Sequence, residues 1–194
     1  MYITLIRHGK TVGNLKRLYY GSTDLPLAEE GLAELCLLHR ERVYPKAERF
    51  YTSGMLRAEQ SLKALYGDVP HEALTGMREI DFGAFEMRTY EDLKNDPRYI
   101  EWITGDNEAN VCPGGESGVS VTQRALEAIS LIISRGEDAV CISHGGVIGG
   151  LMGSWFKSTD SRYEFTPEPG MGFRIEFKEG EPVSYIRIPF EAEK

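Results

Sequence analysis

Short apolar runs along the chain alternate with longer stretches whose apolar residues recur every three or four positions, the signatures of strands and amphipathic helices in turn. YITLI at 2–6 reads as the first strand. After a Gly- and Tyr-rich loop, Leu32, Leu35, Cys36, His39 and Val43 mark one face of a helix. RFYTS at 49–53 follows as a strand. Met55, Ala58, Leu62 and Leu65 then line one face of a second helix, with Gly67 as its stop. Residues 69–85 suggest a short strand and then a loop. Further on, Val119, Leu126, Ile129 and Ile133 face the core from a long helix; Ser120 and Gln123 fit a capping box for it, and a start a few residues earlier also satisfies the pattern. DAVCIS at 138–143 reads as a buried strand, GGVIGGLMGSWF at 145–156 as a Gly-rich helix, and FRIEF with VSYIRI as a closing hairpin around KEGEP. This alternation predicts an α/β fold with a largely parallel sheet.

Composition narrows the class without changing that plan. The chain has 194 residues, 41% hydrophobic and 27% charged, the balance of an ordinary globular protein of one domain, 1–194. Residues 86–115 are polar and acid-rich, with Tyr90, Tyr99 and Trp102 scattered among them, and are expected to form short helices of a cap insertion. Apolar stretches such as AISLII at 128–133 are far shorter than the roughly 20 residues of a membrane span, and no basic, apolar leader pattern is seen, so a cytoplasmic protein is expected. Cys36, Cys112 and Cys141 are odd in number and lack metal-ligand spacing, so they read as free thiols, Cys36 and Cys141 within core patterns. A formal charge of -8 argues against nucleic acid or an anionic membrane as partner. If the ligand is an anion, cations must be concentrated locally, which makes the placement of arginine informative.

On this plan the suggestive residues gather at strand ends. Arg7 and His8 close the first strand, Ser53 and Arg57 follow the second, and Ser143 and His144 follow the 138–143 strand. Open α/β sheets bind ligands outside the carboxyl ends of their strands. Two guanidiniums present donors matched to phosphate oxygens, and the helix starting near Met55 offers free N–H groups to an anion. Gly9 and Gly145 follow the histidines where a side chain would crowd an approaching ligand. Each element taken singly has a structural explanation, but their joint occurrence points to a phosphoryl site.

These residues resemble the histidine phosphatase superfamily, which includes phosphoglycerate mutases and small phosphatases. The resemblance rests on RHGKTVGN at 7–14, GSTDLPLAEEGL at 21–32, SGMLRAEQS at 53–61, REIDFGAFE at 78–86, PGGES at 113–117 and SHGGVI at 143–148. It implies a three-layer α/β/α sandwich of the phosphoglycerate mutase-like kind. It further implies that His8 is the nucleophile that becomes phosphorylated, that Arg7, Arg57 and His144 bind phosphoryl oxygens together with Gly145, that Asn14 also touches phosphate, and that Glu79 is the proton donor. Gly21 and Ser22 would line the substrate mouth. The sequence departs from the family pattern at Lys10, Gly54, Gln60 and in FEM at 85–87, none of which carries the chemistry.

An imidazole attacks phosphorus only when neutral, a form that nearby Arg7 and Arg57 favour. A backbone carbonyl in the turn after His8 is expected to hold the proton of the other ring nitrogen. Asp81 and Glu86 remain rivals of Glu79 as proton donor, Asp81 with a turn-capping carboxylate as its structural reading. A zinc site of two histidines and a carboxylate is disfavoured by the adjacent arginines, so no metal or cofactor is expected. The interval after the proton donor carries Glu91, Asp92, Asp96, Glu101, Asp106 and Glu108, a poor reception for a second anionic group. The expected ligand is a small-molecule phosphate ester with a neutral or apolar leaving portion, α-ribazole phosphate-like or a sugar phosphate, resting on Tyr19, Tyr20, Tyr90 or Trp102. A phosphoglycerate mutase and a noncatalytic phosphoryl-binding module are the alternatives, and a homodimer is the assembly considered.

Overall fold

The computed structural model describes residues 1–106, 108–156 and 162–191. Six strands form the main sheet: β1 (Tyr2–Arg7), β2 (Arg49–Thr52), β3 (Glu72–Ala73), β4 (Ala139–Ser143), β5 (Gly172–Lys178) and β6 (Glu181–Ile188). Their spatial order is β3-β2-β4-β1-β5-β6. The first four run parallel, and β5 and β6 close the sheet as an antiparallel hairpin against β1.

Strand alternation divides the interior into two cores. Ile3 and Leu5 of β1, with Ala139 and Cys141 of β4, face one side; there they meet Val121, Ala125, Ile129 and Ile132 of α3 (Gly118–Arg135) and Val147, Ile148 and Leu151 of α4 (Gly145–Phe156). Ile6, Val140 and Ile142 face the other side, against Leu35 of α1 (Glu29–Glu41) and Ala58, Leu62 and Leu65 of α2 (Leu56–Tyr66). The result is the α/β/α sandwich, with β1 and β4 at its centre. No helix among the described residues is long and apolar enough to cross a membrane.

Several local expectations are corrected. In α1, Leu32 is exposed and Leu35 carries the burial, because Gly31 packs against the Lys10 backbone and turns the face by about a residue. The helix ends at Glu41, and Val43 pairs instead with Phe190 in a short two-stranded ladder. The cap of α3 is Ser117, whose hydroxyl accepts from the Ser120 amide at 3.1 Å. The earlier start leaves Val119 exposed and hands the core to Val121, Ala125, Ile129 and Ile132. Cys36 is only half-buried, while Cys112 is fully enclosed beside Cys141 in the same core.

The topology itself brings the two histidines together. Arg7 and Ser143 are register partners at the ends of adjacent parallel strands, and the His8 amide donates to the Ser143 carbonyl at 3.0 Å.

Candidate active site

His8 is 3% exposed, and its Nδ1 lies 2.7 Å from the Gly9 carbonyl. A carbonyl only accepts, so Nδ1 holds the proton and Nε2 keeps its lone pair. Burial, then the charge of Arg57, with a smaller push from Arg7, drives the imidazole pKa down to about 3, so the ring is neutral at ordinary pH. The turn behind it is pinned by Ser61 of α2, whose hydroxyl accepts from the Gly9 amide at 2.9 Å and donates to the Arg57 carbonyl at 2.6 Å. Gly9 is required for packing rather than for ligand access, because a Cβ there would stand 2.6 Å from Leu35 Cδ1. At Gly145 a Cβ would press on the Arg7 guanidinium, 3.1 Å from Cζ.

Arg7 donates through Nη1 to the Pro167 carbonyl at 2.9 Å, while its Nε is buried with no protein acceptor among the described residues. Arg57 is fully enclosed. Its Nη2 donates to the Gly21 carbonyl at 2.9 Å and its Nη1 to the Thr23 carbonyl at 3.1 Å, and Tyr20 lies beneath it with the ring centroid 5.1 Å from Cζ. The start of α2 does not offer open N–H groups as expected: the Leu56 amide donates to Asp24 at 2.9 Å, so that helix contributes its arginine side chain rather than its terminus.

His144 stands beside His8, ring centroids 5.1 Å apart, and is itself fully buried. Its Nδ1 accepts from Arg57 Nε at 3.3 Å, and Nε2 lies 2.8 Å from the Ser53 hydroxyl. Burial and the Arg57 charge hold this imidazole neutral as well, well below the usual histidine range. An Nδ1 that accepts carries no proton, so the neutral ring is protonated on Nε2 and donates there to the Ser53 hydroxyl. Asn14 caps its own short turn: Oδ1 accepts from the Thr11 amide at 3.0 Å and from the Tyr20 hydroxyl at 2.7 Å, leaving the amide NH2 for other partners.

The acidic candidates separate cleanly. Glu79 and His8 line one small cavity of about 160 Å³ together with Arg7, Arg57, Asn14, Tyr19, Tyr20 and Phe82. The Glu79 carboxylate takes the Gly146 amide at 3.2 Å, and a Cβ on Gly146 would fall 2.6 Å from Oε1, so the start of α4 must be glycine for this approach. Asp81 caps a turn, accepting from the Gly83 amide at 2.8 Å and the Ser22 hydroxyl at 3.0 Å. Glu86 accepts from the amides of Gly21, Ser22, Thr23 and Phe82 and from the Thr23 hydroxyl. A carboxylate with that many donors is a structural anion, joining the loop of Gly21 and Ser22 to the loop after Glu79. Gly21 itself admits no side chain, as a Cβ would sit 1.6 Å from the Ile80 carbonyl oxygen.

Of the aromatics, Tyr19 and Tyr20 reach the cavity. Tyr90 is exposed and meets Tyr99 edge to face, while Trp102 packs among Tyr19, Phe82, Phe85 and Tyr99. Lys10 has a surface role, its Nζ 2.9 Å from Glu34. Ser53 and Tyr20 were noted from sequence, at a strand end and as a ligand-facing aromatic; Ser61, Glu116 and Arg124 were not singled out as site residues. Ser61 lies one helical turn from Arg57, a spacing that could have found it, but the partners of Glu116 and Arg124 lie far along the chain.

A buried neutral imidazole, paired guanidiniums and a carboxylate around one small cavity, on this sheet topology, define a phosphoryl-transfer site. The family model for the histidine phosphatase superfamily (branch 1) matches residues 3–184, and the chain belongs to that superfamily. It is a phosphatase of small phosphate esters. An adenosylcobalamin/alpha-ribazole phosphatase of Salmonella typhimurium is 31% identical over 187 residues, 93% of this chain and 92% of that one. A 2,3-bisphosphoglycerate-dependent phosphoglycerate mutase of Xanthobacter autotrophicus is 29% identical over 170 residues, 77% of this chain and 78% of the mutase. The crystal structure of the alpha-ribazole phosphatase from Shigella flexneri superposes with a TM-score of 0.84 at 24% identity, covering 99% of this chain and 96% of that one, a likeness of fold.

Proposed function

We propose that the chain hydrolyses its ester through a phosphohistidine on His8, with a small neutral alcohol as the leaving portion. The observation that carries this reading is the His8 Nδ1 contact to the Gly9 carbonyl at 2.7 Å, which directs an unprotonated Nε2 toward the cavity shared with Arg7, Arg57 and Glu79. Nε2 attacks phosphorus; the N–P bond forms as the P–O ester bond breaks, and the protonated Glu79 carboxyl gives its proton to the departing alkoxide. Water then attacks the phosphohistidine, Glu79 takes the proton back, and inorganic phosphate leaves. Charge on the equatorial oxygens meets Arg7 Nε, which has no protein acceptor among the described residues, the Arg57 guanidinium and the Asn14 amide. His144 steadies the Arg57 guanidinium beside them, its Nδ1 accepting from Arg57 Nε while its Nε2–H donates to the Ser53 hydroxyl.

The relatives act on alpha-ribazole phosphates and on phosphoglycerates. The acidic run from Glu91 to Glu108 disfavours the second anionic group that a mutase must hold, and Tyr19 and Phe82 on the cavity wall suit an apolar or ring-bearing alcohol such as a riboside or sugar. The test is turnover of a panel of phosphomonoesters with a metal chelator present, with acid-labile phosphate trapped on the protein. His8→Ala is expected to lose at least about a thousandfold in rate, in line with removal of an activated nucleophile. Equal turnover by wild type and His8→Ala overturns the assignment. Interconversion of phosphoglycerates faster than hydrolysis of any ester reverses the choice between phosphatase and mutase.

A further inference from the structure

We propose that Arg124 and Glu116 are positioning residues that aim Glu79 at the leaving oxygen, an inference that rests on Glu79 being the proton donor. Glu79 sits in an irregular stretch, beyond the short turn Thr75–Met77, where no ladder or helix holds its backbone. What holds it is a single guanidinium from α3. Arg124 Nη1 donates to the carbonyls of Gly76 at 2.8 Å and Arg78 at 2.6 Å, and Nη2 donates to the Glu79 carbonyl at 3.0 Å. Its Nε and Nη2 grip Glu116 in a two-point pair, both contacts at 2.9 Å.

A guanidinium has five N–H donors, and these contacts use every one. Arg124 therefore has nothing left to offer a phosphate, and a lysine, with three donors and no planar fork, cannot reproduce the set. Glu116 completes the frame from the other side. Its Oε2 accepts from the Asp81 amide at 3.0 Å, and its own amide donates to the Asp81 carbonyl at 2.9 Å. The backbone before and after Glu79 is thus fixed to one helix and one loop. The docking of α3 does not depend on this clamp, since Val121, Ala125, Ile129 and Ile132 already bury its apolar face.

The chemistry supplies a readout that fold damage does not imitate. An alkoxide needs a proton to leave, whereas p-nitrophenolate leaves without one. A carboxyl displaced by a fraction of an ångström therefore slows alkyl esters and spares the aryl ester. We would measure kcat/KM, which reports transfer to His8 before phosphohistidine hydrolysis, for p-nitrophenyl phosphate and for glycerol phosphate. The proteins compared are wild type, Arg124→Lys, Glu116→Gln and Glu79→Gln, with thermal melts on each.

The expected result is an aryl-to-alkyl ratio raised about 30-fold or more in Arg124→Lys and Glu116→Gln, in the direction of Glu79→Gln, with the aryl ester slowed less than about threefold. An unchanged ratio in both clamp variants, whether the two esters slow together or neither slows, overturns the proposal. If Glu79→Gln itself leaves the ratio unchanged, the proton-donor reading fails, and the positioning role falls with it.

Discussion

At the residue scale, the depressed pKa of the two buried histidines has a consequence for stability. His8 titrates near 3 when folded and at 6.5 as a free side chain, and His144 is lowered in the same direction. Below pH 6.5 the unfolded chain therefore takes up protons that the folded chain refuses, so stability falls as pH drops through that range. His8 contributes about 2 kcal/mol of loss between pH 6.5 and 5, at about 1.4 kcal/mol per unit, and His144 adds to it in the same direction. Urea unfolding in buffers without phosphate should show this slope, reduced by one proton in His8→Ala; an identical slope in that variant contradicts the assignment. The same burial keeps His8 neutral for attack, so activity should show no essential base near 6.5 in the free enzyme.

At the scale of elements, the site is assembled by side chains that tie loops to one another. Glu86 gathers the amides of Gly21, Ser22 and Thr23, while the carbonyls of Gly21 and Thr23 hold Arg57. Glu86→Ala leaves those donors without a partner and should destabilise the protein by about 2 kcal/mol. It should also weaken inhibition by inorganic phosphate, because the Arg57 cradle loosens; a melt and a phosphate inhibition constant check both. Glu86→Gln should keep the wild-type preference between aryl and alkyl esters. A preference altered as in Glu79→Gln would return Glu86 to the role of proton donor. The main strands along the chain and the closing hairpin were legible in the apolar pattern, yet the faces of α1 and α3 were misaligned at Leu32 and Val119. Periodicity marks a stripe, and packing against the Lys10 backbone and the cap at Ser117 chose its rotation.

At the scale of the whole molecule, the described residues form two cores on opposite faces of the sheet. Leu5 belongs to one and Leu62 to the other, both at most 1% exposed. Leu5→Ala and Leu62→Ala should each cost about 3 kcal/mol. Because the two lie in separate cores, the double variant should lose their sum to within about 0.5 kcal/mol, measured by urea unfolding. A coupling above about 1 kcal/mol would mean that the sheet transmits repacking from one core to the other. Net charge works at this scale too: -8 overall places the few inward-facing cations, Arg7 and Arg57, in sharp contrast with their surroundings and confines anion attraction to the cavity they line.

By itself the sequence determined the alternation of strands and helices and the strand-end residues His8, Arg7 and Arg57, because these are written in local patterns of chemistry and spacing, while Glu79, which shares their cavity, came from the resemblance to a known family. Tertiary structure decided what those patterns do not contain. It separated Glu79 from Asp81 and Glu86 by where each carboxylate finds its donors, made Gly9 a packing residue, and drew Arg124 to the backbone of Glu79 and Glu116 to that of Asp81. The physical reason is range. A hydrogen bond between residues dozens of positions apart is settled only when the parallel strands β1 and β4 come into register and carry their loops to the same edge of the sheet.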